Sequence, residues 1–146
     1  MKKINIGELM TYRAYLSPNL EAFVGNGYRY TYREVNSRVN QFASFLQERG
    51  IKKGDRLAVL SKNSQYLPTV LFAAAKIGVI TIPLNWRLKA PELIYILEDS
   101  GTNSLVFDAE FVATVEEIKK AVDLSLTVQV DSNGADNEFE ACRYTR

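Results

Sequence analysis

The stretch Ala73-Ala-Ala-Lys-Ile-Gly-Val-Ile-Thr-Ile-Pro-Leu-Asn-Trp-Arg-Leu88 constrains the fold more than any other part of the chain. An alanine-rich helix stops at Gly78, a β-branched run follows at once, and Pro83 turns the backbone away from that run. Helix, glycine and buried strand in this order build half of a βαβ unit. Asn85 and Arg87 then fall just past the carboxyl end of a strand, which is where ligands collect in open α/β sheets.

The same region needs a membrane test, because Leu67 to Leu84 is nearly all apolar and close to the roughly 18 residues of a minimal span. Lys76 sits in its middle, Pro68 and Pro83 bracket it, and the composition switches from alanine-rich to β-branched at Gly78. Helix-turn-strand is therefore expected, with no transmembrane segment. The two lysines after Met1 precede no apolar run, so no signal peptide is expected. A chain of 146 residues is one domain's worth and long enough to bury a core. Net charge is +1 and no Lys/Arg cluster exceeds a pair, which excludes electrostatic steering towards nucleic acid. The lone Cys142 excludes an internal disulfide and fits a reducing, cytoplasmic setting. With no histidine in the chain, neither a Ser-His-Asp nor a Cys-His unit can be assembled, and imidazole metal ligands are excluded.

Periodicity and end signals supply the remaining elements. Asn5-Ile-Gly-Glu8 caps a first helix that runs to about Leu16, where Ser17-Pro18 stops it. Glu21 to Val24 and Tyr28 to Thr31 flank Gly25-Asn26-Gly27 and read as a small β-hairpin. Thr31-Tyr-Arg-Glu34 is a capping box for a helix with Val35, Val39, Phe42 and Leu46 on one face, closed by Gly50. From Lys53 onward strand and helix alternate. Strands are expected at Arg56 to Ser61, Val79 to Ile82, Asn103 to Phe107 and Leu124 to Val130. Between them lie helices opened by Asn63-Ser64, by Ala90-Pro91-Glu92 with Leu93, Ile96 and Leu97 inward, and one marked by Phe111, Val115, Ile118 and Val122. Near-continuous apolar strands separated by helices call for an α/β fold. The expected fold is a mostly parallel sheet of about four strands with helices on both faces, preceded by a helix and a hairpin. Strand order is not readable from one sequence. After Val130 the chain turns polar and acidic without a period, so residues 131–146 read as a loop or frayed tail.

Four segments in this order and spacing resemble the N-terminal region of AMP-forming acyl-CoA synthetases of the adenylate-forming superfamily. They are Tyr30-Thr-Tyr-Arg-Glu-Val35, then Gly54-Asp-Arg-Leu-Ala-Val59, and Asn63-Ser64 followed by Ala73-Ala-Ala-Lys-Ile-Gly78. The fourth, Ile82-Pro-Leu-Asn-Trp-Arg-Leu88, leads into Pro91 to Ser100. The resemblance covers roughly residues 6 to 108. It implies that residues 1–130 form an incomplete N-terminal α/β subdomain of a larger enzyme. Such an enzyme couples a carboxylic acid, plausibly a fatty acid, to ATP and passes the acyl group from the adenylate to coenzyme A. Its family pattern uses a Ser/Thr/Gly-rich phosphate loop ending in Pro-Lys, acidic residues for ribose and Mg2+, and a lid lysine. None of these motifs occurs in this sequence, and Gly50-Ile-Lys-Lys-Gly54 has neither the spacing nor the ending of a phosphate cradle. The isolated chain is therefore expected to be inactive and to bind no cofactor itself, with ATP, Mg2+ and coenzyme A belonging to the complete enzyme.

No residue is nominated as catalytic, cofactor-binding or metal-ligating. Asn85 and Arg87 at the sheet edge are the candidates, because a guanidinium there can pair with carboxylate or phosphate and an asparagine can fix the loop. The plainer expectation is that Asn85 organises a turn while Arg87 pairs with an acidic side chain elsewhere in the fold. Trp86 between them either covers the sheet edge or is exposed. Tyr28, Tyr30 and Tyr32 alternate with Arg29 and Arg33, but without a positive field they read as structural rather than base-stacking. Two other classes compete with the ligase reading. A non-catalytic module could pair with a separate chain, or self-associate, through an uncovered sheet edge. An unrelated doubly wound regulatory domain would want an acidic cluster at its strand ends, and Asp55, Asp108 and Ser61-Lys62 do not supply one.

Overall fold

Four parallel strands form the spine, and their order separates the interior into two cores. The structure, a computed structural model, describes residues 5–131. Apart from Asp131, the tail expected over 131–146 lies outside the described residues, as does Cys142. The elements are α1 (Ile6–Leu16), β1 (Glu21–Gly25), β2 (Tyr28–Thr31), α2 (Tyr32–Glu48), β3 (Arg56–Leu60), α3 (Tyr66–Ile77), β4 (Ile80–Pro83), α4 (Ala90–Ser100), β5 (Ser104–Asp108), α5 (Val112–Lys119) and β6 (Leu126–Val130). A 3-10 turn at Ala109–Phe111 precedes α5. The sheet runs β4-β3-β5-β6, parallel throughout, and β1 and β2 form a separate antiparallel hairpin.

Successive side chains on a strand point to opposite faces. Leu57 and Val59 of β3 accordingly join Val106, Val128 and Val130 in a core covered by α2 and α3, with Val35, Val39, Phe42, Leu46, Val70 and Ala73. Ala58 and Leu60 join Leu105 and Phe107 in a second core under α4 and α5, with Leu93, Leu97, Val115 and Ile118. Helices thus cover both faces, and the α/β expectation holds.

Local chemistry explains most of the boundaries. At α1, Asn5 Oδ1 accepts from the Glu8 amide at 2.9 Å. At α2, Thr31 Oγ1 accepts from the Glu34 amide at 3.3 Å, while Glu34 Oε2 accepts from the Thr31 amide at 2.7 Å and its hydroxyl at 2.9 Å. These bonds, the backbone one first, hold the Glu34 carboxyl below its ordinary pKa. At α4 only half of such a box forms, with Glu92 Oε2 accepting from the Lys89 amide at 2.9 Å. The helix expected to open at Asn63-Ser64 begins instead at Tyr66, whose amide donates to Ser64 Oγ at 3.3 Å. Pro68 sets that limit. An earlier start would carry it past the first turn, where its missing N–H is needed. Gly78 takes φ 75° and reverses the chain into β4, so the apolar run from Leu67 to Leu84 is helix-turn-strand. No helix among the described residues is long and apolar enough to cross a membrane.

The tyrosines build the hairpin. The ring of Tyr28 occupies the space a side chain at Gly25 would need and stacks on Tyr30 at 5.8 Å. The Arg38 guanidinium lies 4.7 Å over the Tyr30 ring, and Arg13 lies 4.9 Å over Tyr32. These rings are engaged within the chain. An ion pair between Arg29 and Glu21 bridges the two strands.

Two contacts dock α1. A Cβ built on Gly7 would stand 2.5 Å from the Lys76 backbone nitrogen, so α1 crosses α3 at backbone distance. Lys76 Nζ donates to Thr11 Oγ1 at 2.7 Å, Asn36 Oδ1 at 2.6 Å and Asn40 Oδ1 at 2.7 Å, which ties α3 to α1 and α2. Its acceptors are neutral, and partial burial lowers its pKa.

Gly7→Ala is expected to cost about 1–3 kcal/mol in urea unfolding, since the new methyl meets backbone rather than a movable side chain. Thr31→Ala should cost about 1 kcal/mol through the lost cap. Because the folded pKa of Glu34 lies below the unfolded one, its contribution is present above the unfolded value and lost as pH falls through the folded value. Glu34→Gln should therefore flatten the acid limb of stability measured by the same melts, and an unchanged limb would contradict the assignment.

Candidate functional site

The carboxyl ends of β3, β4 and β5 open onto one edge of the sheet. From β3 the chain passes through α3 to β4 on one side, and from β4 through α4 to β5 on the other. The gap between β3 and β5 is thus the topological switch point, the preferred ligand crevice in this architecture. Ser61-Lys62 follow β3, Leu84-Asn85-Trp86-Arg87 follow β4, and Ala109-Glu110 follow β5.

Backbone pairing fixes the β4 end first. The Leu84 amide donates to the Val59 carbonyl at 2.9 Å, which extends the ladder one residue beyond β4. Asn85 Oδ1 then accepts from the Arg87 amide at 3.0 Å, and the Leu88 amide donates to the Asn85 carbonyl at 3.0 Å. Asn85 is thereby the organiser of an Asx turn, as expected. Arg87 departs from expectation. Its guanidinium lies 4.3 Å over the Trp86 ring, and no carboxylate pairs with it among the described residues. Glu110, a nearby acid on this edge, is taken by Lys62 at 2.6 Å. Lys62 Nζ also lies 4.8 Å from the indole centroid, so two cations share one aromatic ring.

The Lys62–Glu110 pair spans 48 positions of sequence and has no local signature. A lysine after one strand and a glutamate after another meet only because β3 and β5 are neighbours. Both side chains are substantially exposed, which limits the pair to about 0–1 kcal/mol. Deeper in, Gln65 is buried at the start of α3, and its Oε1 has no hydrogen-bond partner among the described residues. In the sequence Lys62 stood out only as a residue following a strand, and Glu110 and Gln65 did not stand out at all. Only the rule that strand ends converge could have pointed to them.

Ser61 Oγ donates to the Lys62 carbonyl at 2.9 Å. Among the described residues no group of three or more Cys, Asp or Glu could hold a metal ion. What the edge offers is a guanidinium that is stacked on an indole and has no carboxylate partner among the described residues, an arrangement suited to an anionic group.

The sequence pattern of the AMP-binding enzymes matches residues 10–144. The long-chain-fatty-acid–CoA ligase FadD13 of Mycobacterium tuberculosis is 38% identical over 141 residues, covering 95% of this chain and 28% of that protein. The fatty acid–[acyl-carrier-protein] ligase ScoC of Streptomyces coeruleorubidus is 38% identical over 111 residues, covering 76% of this chain and 21% of that protein. The N-terminal domain of FACL13 from Mycobacterium tuberculosis superposes with a TM-score of 0.83 at 34% identity, over 93% of this chain and 37% of that one. The chain thus spans about a quarter of the length of these curated relatives, at their N-terminal end in the solved structure. On the family match and the shared fold together, this chain belongs to the AMP-binding enzyme family, whose relatives here are acyl-activating ligases.

Proposed function

We propose that this chain supplies the N-terminal α/β part, residues 1–130, of an enzyme that activates a fatty acid as its acyl-adenylate and transfers it to coenzyme A. The observation that carries this reading is the match of nearly the whole chain, in sequence and fold, to ligases of that class. The sheet edge at the switch point forms one wall of the reaction cleft. There Arg87, held out by the Asn85 turn and stacked on Trp86, contributes positive charge towards a phosphate-bearing substrate. Lys62 adds less, because Glu110 neutralises it. Attack of a carboxylate on the α-phosphorus of ATP, with pyrophosphate leaving, also needs hydrogen-bond donors and a divalent cation there, and the edge does not provide them. The isolated chain is accordingly a structural contributor without turnover. The reading carries a cytoplasmic location, where ATP and coenzyme A are supplied.

Acid-dependent ATP–pyrophosphate exchange tests the proposal in two arms. The purified chain should show none. A chimera in which residues 5–131 replace the equivalent segment of a fatty acid–CoA ligase should retain exchange with a long-chain acid. In that chimera Arg87→Ala should raise the KM of a phosphate-bearing substrate about 5–10-fold with kcat nearly unchanged, as for loss of one charge-assisted contact. Exchange by the isolated chain, or a folded chimera without it, contradicts the proposal.

A further inference from the structure

Arg87 can offer its guanidinium to a phosphate only if the acids of this edge are held elsewhere, and they are. Glu92, the next acid along the chain, accepts from the Lys89 amide at 2.9 Å. Asp108 at the end of β5 is buried, whereas Arg87 is exposed. Glu110 is exposed like Arg87, and its carboxylate accepts from Lys62 Nζ at 2.6 Å.

Glu110 is the acid that competes for Arg87. Lys62 Nζ touches the Glu110 carboxylate and lies 4.8 Å from the Trp86 ring centroid, and the Arg87 guanidinium lies 4.3 Å from the same centroid. The lysine is thus the common neighbour of the acid and of the ring that carries Arg87. A guanidinium forks onto a carboxylate through two parallel N–H bonds, which an ammonium cannot do. Without Lys62, Glu110 would exchange an ammonium for a guanidinium and draw Arg87 off the indole. Glu110 in turn neutralises Lys62, so that two cations share one ring without repelling each other at full charge. Stability does not account for the pair, since both members are exposed and such pairs add little. A carboxylate just before α5 also suits that helix N-terminus. That duty needs no lysine, and it predicts no effect of Lys62 on substrate binding.

We propose that Lys62 is a positioning residue for Arg87: by holding Glu110 it leaves the guanidinium on Trp86, available to the phosphate group of a substrate. This role rests on Arg87 being a phosphate contact, as proposed for the intact enzyme.

Kinetics and NMR test it together. In the chimera of this chain with a fatty acid–CoA ligase, acyl-CoA formation gives the KM of ATP and of coenzyme A. For whichever of the two Arg87→Ala affects, Lys62→Met should raise KM about 3–5-fold with kcat nearly unchanged. Adding Glu110→Gln to Lys62→Met should restore KM to within about 2-fold of the parent. In an Arg87→Ala background Lys62→Met should add less than about 2-fold, whereas a lysine that met the substrate itself would add its own effect. In the 146-residue chain, Trp86 is the sole tryptophan, and the Arg87 Nε–H resonance should carry its upfield ring-current shift. Lys62→Met should abolish that shift and the double variant should regain it. All the side chains changed are exposed, so the variants should melt like the parent. An Arg87→Ala effect that Lys62→Met does not share, a double variant as impaired as Lys62→Met, or an Arg87 resonance that Lys62→Met leaves in place overturns the positioning role alone. So does a Lys62→Met effect that persists in full without Arg87. Arg87→Ala without effect on either KM overturns the phosphate contact and the positioning role with it.

Discussion

Strand β3 is the constraint on which the rest depends. Leu57, Ala58, Val59 and Leu60 are all buried, and they alternate between the two cores. A slip of one residue would exchange those cores, placing Leu57 and Val59 under α4 and α5 instead of α2 and α3. Register is therefore fixed at its entry. Asp55 Oδ2 accepts from the Lys52 amide at 2.8 Å, and the Asp55 carbonyl accepts from the Ile80 amide at 2.8 Å. The Gly54 amide donates to the Gly78 carbonyl at 2.9 Å, so the turn into β3 and the turn into β4 are one joint. Gly54 and Gly78 both take left-handed φ there, at 91° and 75°.

The site inherits its geometry from that joint. Once β3 is in register with β4 and β5, Lys62, Trp86 and Glu110 arrive at the same edge without any local preference for one another. Their contacts are weak and partly solvated, and none stabilises the fold by much. An edge built this way can be rewritten by single substitutions at little cost to stability.

Local signals in the sequence were legible where short-range chemistry decides the outcome. The Asn5 and Thr31 caps, the glycine that ends α3 and the proline in the first turn of α4 each act within four residues. The βαβ alternation likewise followed from apolar runs and their spacing. Strand order did not, because it depends on which face each crossover helix takes. The environment of Lys76 was hidden for a similar reason: Thr11, Asn36 and Asn40 come from two other helices. A lysine in the middle of an apolar run was the only hint that it needed partners. Arg87 was read as half of an ion pair, and its actual partner is its own neighbour, Trp86.

Amide hydrogen exchange under native conditions tests the central role of β3 most directly. The amides of Leu57 to Leu60 should exchange only through global unfolding and be the slowest in the chain, together with those of β5, while the β1–β2 hairpin and α1 open at lower free energy. Exchange in β3 as fast as in the hairpin would contradict the account, because the two cores could then not share that strand as their common wall.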